Sequence, residues 1–150
     1  MTIVGINGDS KALCHKLAER LIQKIVTNRY TTSVICYAGA EVEIDIVGKD
    51  SYEHREAGAT EVLACSSKRW ALVKEQKIAV TPLFEELINR LKSVDVVLAI
   101  GFSIRPDILV NVHKNCEIIA FSDNDHTYSR GSLDRIDQII DLILDSTMKK

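Results

Sequence analysis

Leu13, Leu17, Leu21, Ile22 and Ile25 recur at three-to-four spacing across residues 11–27, which predicts an amphipathic helix. Ahead of it, TIVGI at 2–6 reads as a short strand running into a loop. Val34 to Tyr37 gives a second strand. EVEID, residues 41–45, alternates acid and aliphatic side chains and predicts a half-buried edge strand. After Gly48 the segment DSYEHREAGA opens on two good capping residues, Asp50 and Ser51, and meets a glycine stop at Gly58, a short helix. Val62–Cys65 and Trp70–Val73 read as strands around the polar Ser66–Arg69. Pro82 opens a helix carrying Leu83, Phe84, Leu87, Ile88 and Leu91. VDVVLAIG (94–101) is a continuous apolar run ending in glycine, as expected of a central strand buried on both faces. EIIAFS (117–122) is similar, and a last helix over about 133–147 follows Ser132 as its cap.

Strands alternating with helices predict an α/β fold, a mostly parallel sheet with helices on both faces, in a single domain over 1–150. A chain of that length buries roughly 70% of its unfolded surface. In such sheets ligands bind beyond the carboxyl ends of the strands, and the loops at 5–11, 101–105 and 122–126 are expected at that edge.

Composition narrows the function more than the fold. A net charge of −2 with 27% charged residues argues against nonspecific nucleic-acid or anionic-membrane binding, both of which draw on clustered positive charge. No apolar run approaches the length of a membrane span, and a cytoplasmic protein is expected. Cys14, Cys36, Cys65 and Cys116 form no CxxC pair and read as free thiols, with no metal site.

The chemistry concentrates in GINGDSKAL, residues 5–13. Gly5 and Lys11 stand where the phosphate-binding pattern G-x-x-x-x-G-K-[ST] puts its first glycine and its lysine. Such a loop works by converging backbone N–H groups on an anion, backed by a helix N-terminus and a lysine. Gly5, Asn7, Gly8, Asp9, Ser10, Lys11 and Ala12 are the candidate phosphate-binding residues. However, Ser10 adds a Cβ where the second glycine belongs, Asp9 repels phosphate, and Ala12 has no hydroxyl for magnesium. On its own the stretch fits a tight strand-to-helix turn as well as a phosphate site.

GKDSYEHREAGATEVLACSSKRWALVKE, residues 48–75, resembles the MobB family, molybdopterin-guanine dinucleotide biosynthesis protein B, with its G-K-D-S-[YW], A-G-A and two following strands. VDVVLAIGF (94–102) and IAFSD (119–123) are similar to the family's strands ending in E-G-F and S-D. The resemblance implies a P-loop NTPase-like α/β fold, weak GTP binding, and an accessory role when GMP is attached to molybdopterin. It also implies a homodimer that pairs strands between subunits, for which EVEID offers an edge, and a molybdenum cofactor guanylyltransferase as partner. The family's magnesium ligands are the loop hydroxyl and the acid before G-F, which here are Ala12 and Ile100, so little or no hydrolysis and no protein-bound Mg2+ are expected. Lys49, Asp50, Ser51 and Asp123 are the candidate guanine or pterin contacts. An alternative is a dimeric scaffold on the same fold that has lost nucleotide binding. Glu43, Asp45, His54 and Arg55 read as solvated faces, and Trp70 as core or dimer interface.

Overall fold

The computed structural model describes residues 1–39, 42–75, 80–91, 93–122, 127–132 and 136–149. Its contacts divide it into two compact units, Met1–Tyr37 with Val80–Lys150, and Ala38–Ala79.

The larger unit is built on a six-stranded sheet. In chain order it holds β1 (Thr2–Gly8), α1 (Lys11–Thr27), β2 (Thr32–Cys36), then α3 (Val80–Arg90), β5 (Val96–Ile100), β6 (Ile108–Val112), β7 (Glu117–Ser122), β8 (Thr127–Ser132) and α4 (Asp137–Met148). The strand order is β2-β5-β1-β6-β7-β8. β2, β5, β1 and β6 run parallel, while β7 pairs antiparallel with β6 and β8 antiparallel with β7. This is the mostly parallel α/β sheet that the alternating pattern predicts.

Alternation along the strands feeds two cores. Val4 and Ile6 of β1, Leu98 of β5 and Val110 of β6 turn to one face, where Leu17, Leu21 and Ile25 of α1 and Ile139 and Ile143 of α4 cover them. Val97 and Ala99 turn to the other face and meet Ile35, Phe84 and Ile88 of α3, and Phe102. All five residues of β5 are buried, as expected for a strand covered on both sides.

The smaller unit holds α2 (Asp50–Glu56) and the hairpin of β3 (Glu61–Cys65) with β4 (Trp70–Lys74). Gly58 ends the α2 turn at φ +106, with its N–H on the Arg55 carbonyl and the Ala59 N–H on that of His54. That left-handed geometry is what favours glycine as a helix stop.

Several expectations are corrected. Residues 42–46 form no strand, so EVEID supplies no edge within this chain; Glu41 lies outside the described residues. The reason lies in the side chains, because Glu43 and Asp45 turn back onto Arg55 of α2 and the segment folds around that arginine. Neither Asp50 nor Ser51 caps α2, whose N-cap is Lys49. Ser132 belongs to β8, and α4 begins at Asp137 with Ile136 as N-cap. β6 and β8 join the sheet without having been expected, and β6 reverses the geometry behind it. Ser122 at the end of β7 pairs with Ile108 at the start of β6, so the chain leaves β7 at the edge opposite the end of β1. The exit from β7 at Ser122 is therefore not at the ligand edge; residues 123–126, Asp123 among them, lie outside the described residues.

Candidate functional site

β1 carries the candidate phosphate residues into α1, and it does so as a strand for longer than the pattern predicts. Val4 to Ile6 are paired on both sides, to β5 and β6, and pairing to β6 continues through Asn7 and Gly8. Only Asp9 and Ser10 separate the strand from the helix. The glycines fit this closed junction. A Cβ on Gly5 would come within 2.9 Å of the Pro106 ring. On Gly8 it would overlap the Val112 carbonyl oxygen and reach Val112 Cγ1 at 2.6 Å. Neither has a left-handed φ. Both are explained by close packing.

Asp9 is held against the end of β6 and the residues that follow it. Its N–H donates to the Val112 carbonyl at 3.2 Å. Its carboxylate accepts from the Lys114 N–H at 3.0 Å and lies 3.7 Å from His113 Nδ1. Ser10 is extended (φ −145°, ψ 127°), and its carbonyl takes the first helical bond from the Cys14 N–H at 3.0 Å while its hydroxyl makes no cap bond. Lys11 and Ala12 are exposed in the first turn. What this junction offers an anion is the Lys11 ammonium and the first-turn N–H groups of Ala12 and Leu13, which have no acceptor four residues back. Cys36, at the end of β2, has its thiol pushed up by burial despite the charge of Lys11.

A magnesium ion does not fit here. Ala12 presents a methyl group. Ile100, at the end of β5 beside Ile6, is 4% exposed and points into the core under α1. Gly101 follows at φ +76 with its N–H on the Ile6 carbonyl. Among the described residues no group of three or more His, Cys, Asp or Glu side chains could hold a metal.

Lys49, Asp50 and Ser51 sit in the smaller unit. Lys49 is exposed, accepts the Glu53 N–H at 3.0 Å, and caps α2 through its backbone alone. Asp50 is exposed in the first turn, where its charge suits the helix N-terminus. Ser51 donates its hydroxyl to Asp45 at 3.0 Å and so joins a cluster missed from sequence. Arg55, 8% exposed and far from a solvated face, binds Glu43 at 3.1 Å, Asp45 at 3.3 Å and Glu75, with the Tyr52 ring 5.2 Å away. Hydrogen bonding to Glu75 above all, then to Glu43 and Asp45, raises the guanidinium against the penalty of burial. Burial penalises the Asp45 carboxylate, yet bonds from Ile46 N–H, Ser51 and Arg55 outweigh it and hold Asp45 low. The Asp45 N–H does most to hold Glu43 low. The legible signal was three acids within reach of one arginine flanked by G-K-D-S.

The profile of the family Molybdopterin guanine dinucleotide synthesis protein B matches residues 1–127, from β1 past the end of β7. The chain belongs to the MobB family. Two curated relatives, both called molybdopterin-guanine dinucleotide biosynthesis adapter protein, are similar to it. The Haemophilus influenzae protein is 29% identical over 114 residues, 75% of this chain and 63% of the relative. The Escherichia coli protein is 37% identical over 71 residues, 47% and 38%. The matches thus span less than two thirds of either relative. Among solved structures, the MobB protein homolog from Bacillus stearothermophilus superposes with a TM-score of 0.62 at 13% identity, covering 100% of both chains. Bacillus subtilis MobB gives 0.57 at 23% identity, over 75% of this chain and 67% of that one. These likenesses carry the fold.

Proposed function

We propose that this chain is an adapter in molybdopterin-guanine dinucleotide synthesis, working in the cytoplasm beside the molybdenum cofactor guanylyltransferase that attaches GMP to molybdopterin. In this reading it binds guanine nucleotide weakly through Lys11 and the first turn of α1, and it does not hydrolyse it. The family match over 1–127 carries the proposal; the methyl of Ala12 and the buried Ile100 support the lack of turnover. Phosphoryl transfer depends on a metal to neutralise charge on the phosphate oxygens, and this junction lacks both ligands for one.

The test is calorimetric titration with GTP, GDP and ATP, with and without magnesium, alongside an assay of phosphate release. Heat with the guanine nucleotides only, insensitive to magnesium, lost in Lys11→Ala and without phosphate release, is the expected result. Magnesium-stimulated hydrolysis that disappears in Lys11→Ala would overturn it.

A second reading, a dimeric scaffold without nucleotide binding, is favoured by one observation. Of the candidate loop residues, Asn7 and Gly8 belong here to a strand paired with β6, and the Asp9 N–H is bonded to the Val112 carbonyl. Silence with all three nucleotides at millimolar concentration selects it. Both readings include a homodimer, supported by the exposed apolar side chains of the β3–β4 hairpin.

A further inference from the structure

We propose that Asp9 is a latch whose carboxylate ties the end of β1 to the β6–β7 turn and holds the β1–α1 junction in its short, closed form. Three contacts make the tie. The backbone of residue 9 is bonded to Val112, its carboxylate to the Lys114 N–H, and His113 lies 3.7 Å from the same oxygen. The turn that receives it is well built, with the Cys116 N–H on the His113 carbonyl at 2.8 Å and Cys116 itself at φ +64. Gly8 beneath it lies too close to Val112 to accept a side chain. Releasing Asn7, Gly8 and Asp9 from β6 would lengthen the connection from two residues to four. It would also turn ladder N–H groups toward the helix N-terminus, which is what an anion-binding loop requires. The latch deepens the nucleotide reading and rests on it only for the identity of the anion, the polyphosphate of a nucleotide. Asp9 then acts through a hydrogen bond, beyond any repulsion of phosphate by its charge.

Two substitutions separate hydrogen bond from charge. Asp9→Asn removes the charge and keeps an acceptor for the Lys114 N–H, whereas Asp9→Ala removes both. Lys114→Pro deletes the donor while leaving Asp9 intact, at the second position of a four-residue turn, where proline is favoured. Amide exchange is followed by NMR on the full chain, and inorganic triphosphate is titrated as the anion. The expected result is exchange at residue 9 about tenfold faster in Asp9→Ala and Lys114→Pro and near the natural rate in Asp9→Asn. Triphosphate is then bound about tenfold more tightly by Asp9→Ala than by Asp9→Asn. Equal exchange in all four proteins overturns the latch, as does equal triphosphate affinity in the two Asp9 variants when triphosphate binds. Faster exchange in Asp9→Ala with no triphosphate binding in any protein upholds the latch and removes the nucleotide reading instead.

Discussion

At residue 8 the same glycine satisfies two demands that a sequence does not separate. A phosphate loop needs glycine where backbone meets an anion, and a tight strand-to-helix junction needs it where backbone meets backbone. Gly8 meets the Val112 carbonyl and Cγ1, so Gly8→Ala is expected to destabilise the fold by about 1–3 kcal/mol, since the backbone cannot give way as a flexible side chain would. Gly48, by contrast, has open space around it, and its φ of +80 makes left-handed strain the only cost of Gly48→Ala, about 1 kcal/mol. Denaturant unfolding of the two variants checks the order; a larger loss for Gly48→Ala would refute the packing account. Ile100 makes the same point about the metal. Sequence gives an apolar residue where an acid is expected, on a strand expected to be buried on both faces, and the structure places that side chain in the core at 4% exposure. Restoring the acid with Ile100→Glu therefore buries an unpaired carboxylate and is expected to cost on the order of 3–5 kcal/mol. Ala12→Thr, on an exposed first turn, is expected to be nearly neutral, and thermal unfolding distinguishes them.

Among the elements, legibility followed the strength of the apolar period. β5 and α1 were readable because five consecutive buried residues and a three-to-four stripe are signals made by the core itself. β8 was not, because TYSRGS takes its strand form from pairing with β7. Missing β6 had the larger consequence, since one unread strand reversed the direction assigned to β7 and moved the exit at Ser122 to the wrong edge. EVEID failed for another reason: a period-two alternation fits a strand and equally fits a loop that turns its acids onto one arginine. The Arg55 cluster yields a pH prediction. Glu43 and Asp45 are both held below their ordinary values, near 4. Folding is therefore favoured by their ionised forms, in full above that value, and this contribution is lost as pH falls through the lowered native values. Protection of the α2 amides, taken relative to their intrinsic exchange at each pH, should fall on acidification below about pH 4, ahead of β5. In Arg55→Met the same amides should exchange faster already at neutral pH and respond less to acid. An acid response unchanged in Arg55→Met would mean that the cluster does not hold this unit.

For the whole molecule the open matter is what meets the hairpin. β3 and β4 form a two-stranded sheet, marginal by itself in water, and among the described residues neither outer edge is paired. Leu63 is 59% exposed and Trp70 69% exposed. Lys74 and Glu61 form an ion pair across the open end of the hairpin, while the turn carries Lys68 and Arg69. An apolar hairpin with open edges is an association hazard that proteins cover or blunt. The proposed homodimer covers it by pairing one hairpin with its copy, and this moves the expected interface from EVEID, residues 41–45, to β3 and β4. Sedimentation at micromolar concentration is then expected to give about twice the 16.7 kDa chain mass. Trp70→Asp is expected to shift the species to monomer, because the charge would lie in a desolvated apolar contact. The chain has one tryptophan, so its fluorescence reads the same event independently, shifting to the red on dilution as the indole enters water. A natural chain that sediments as a monomer across this range, with emission unchanged by dilution, would remove the dimer and leave Trp70 as plain surface.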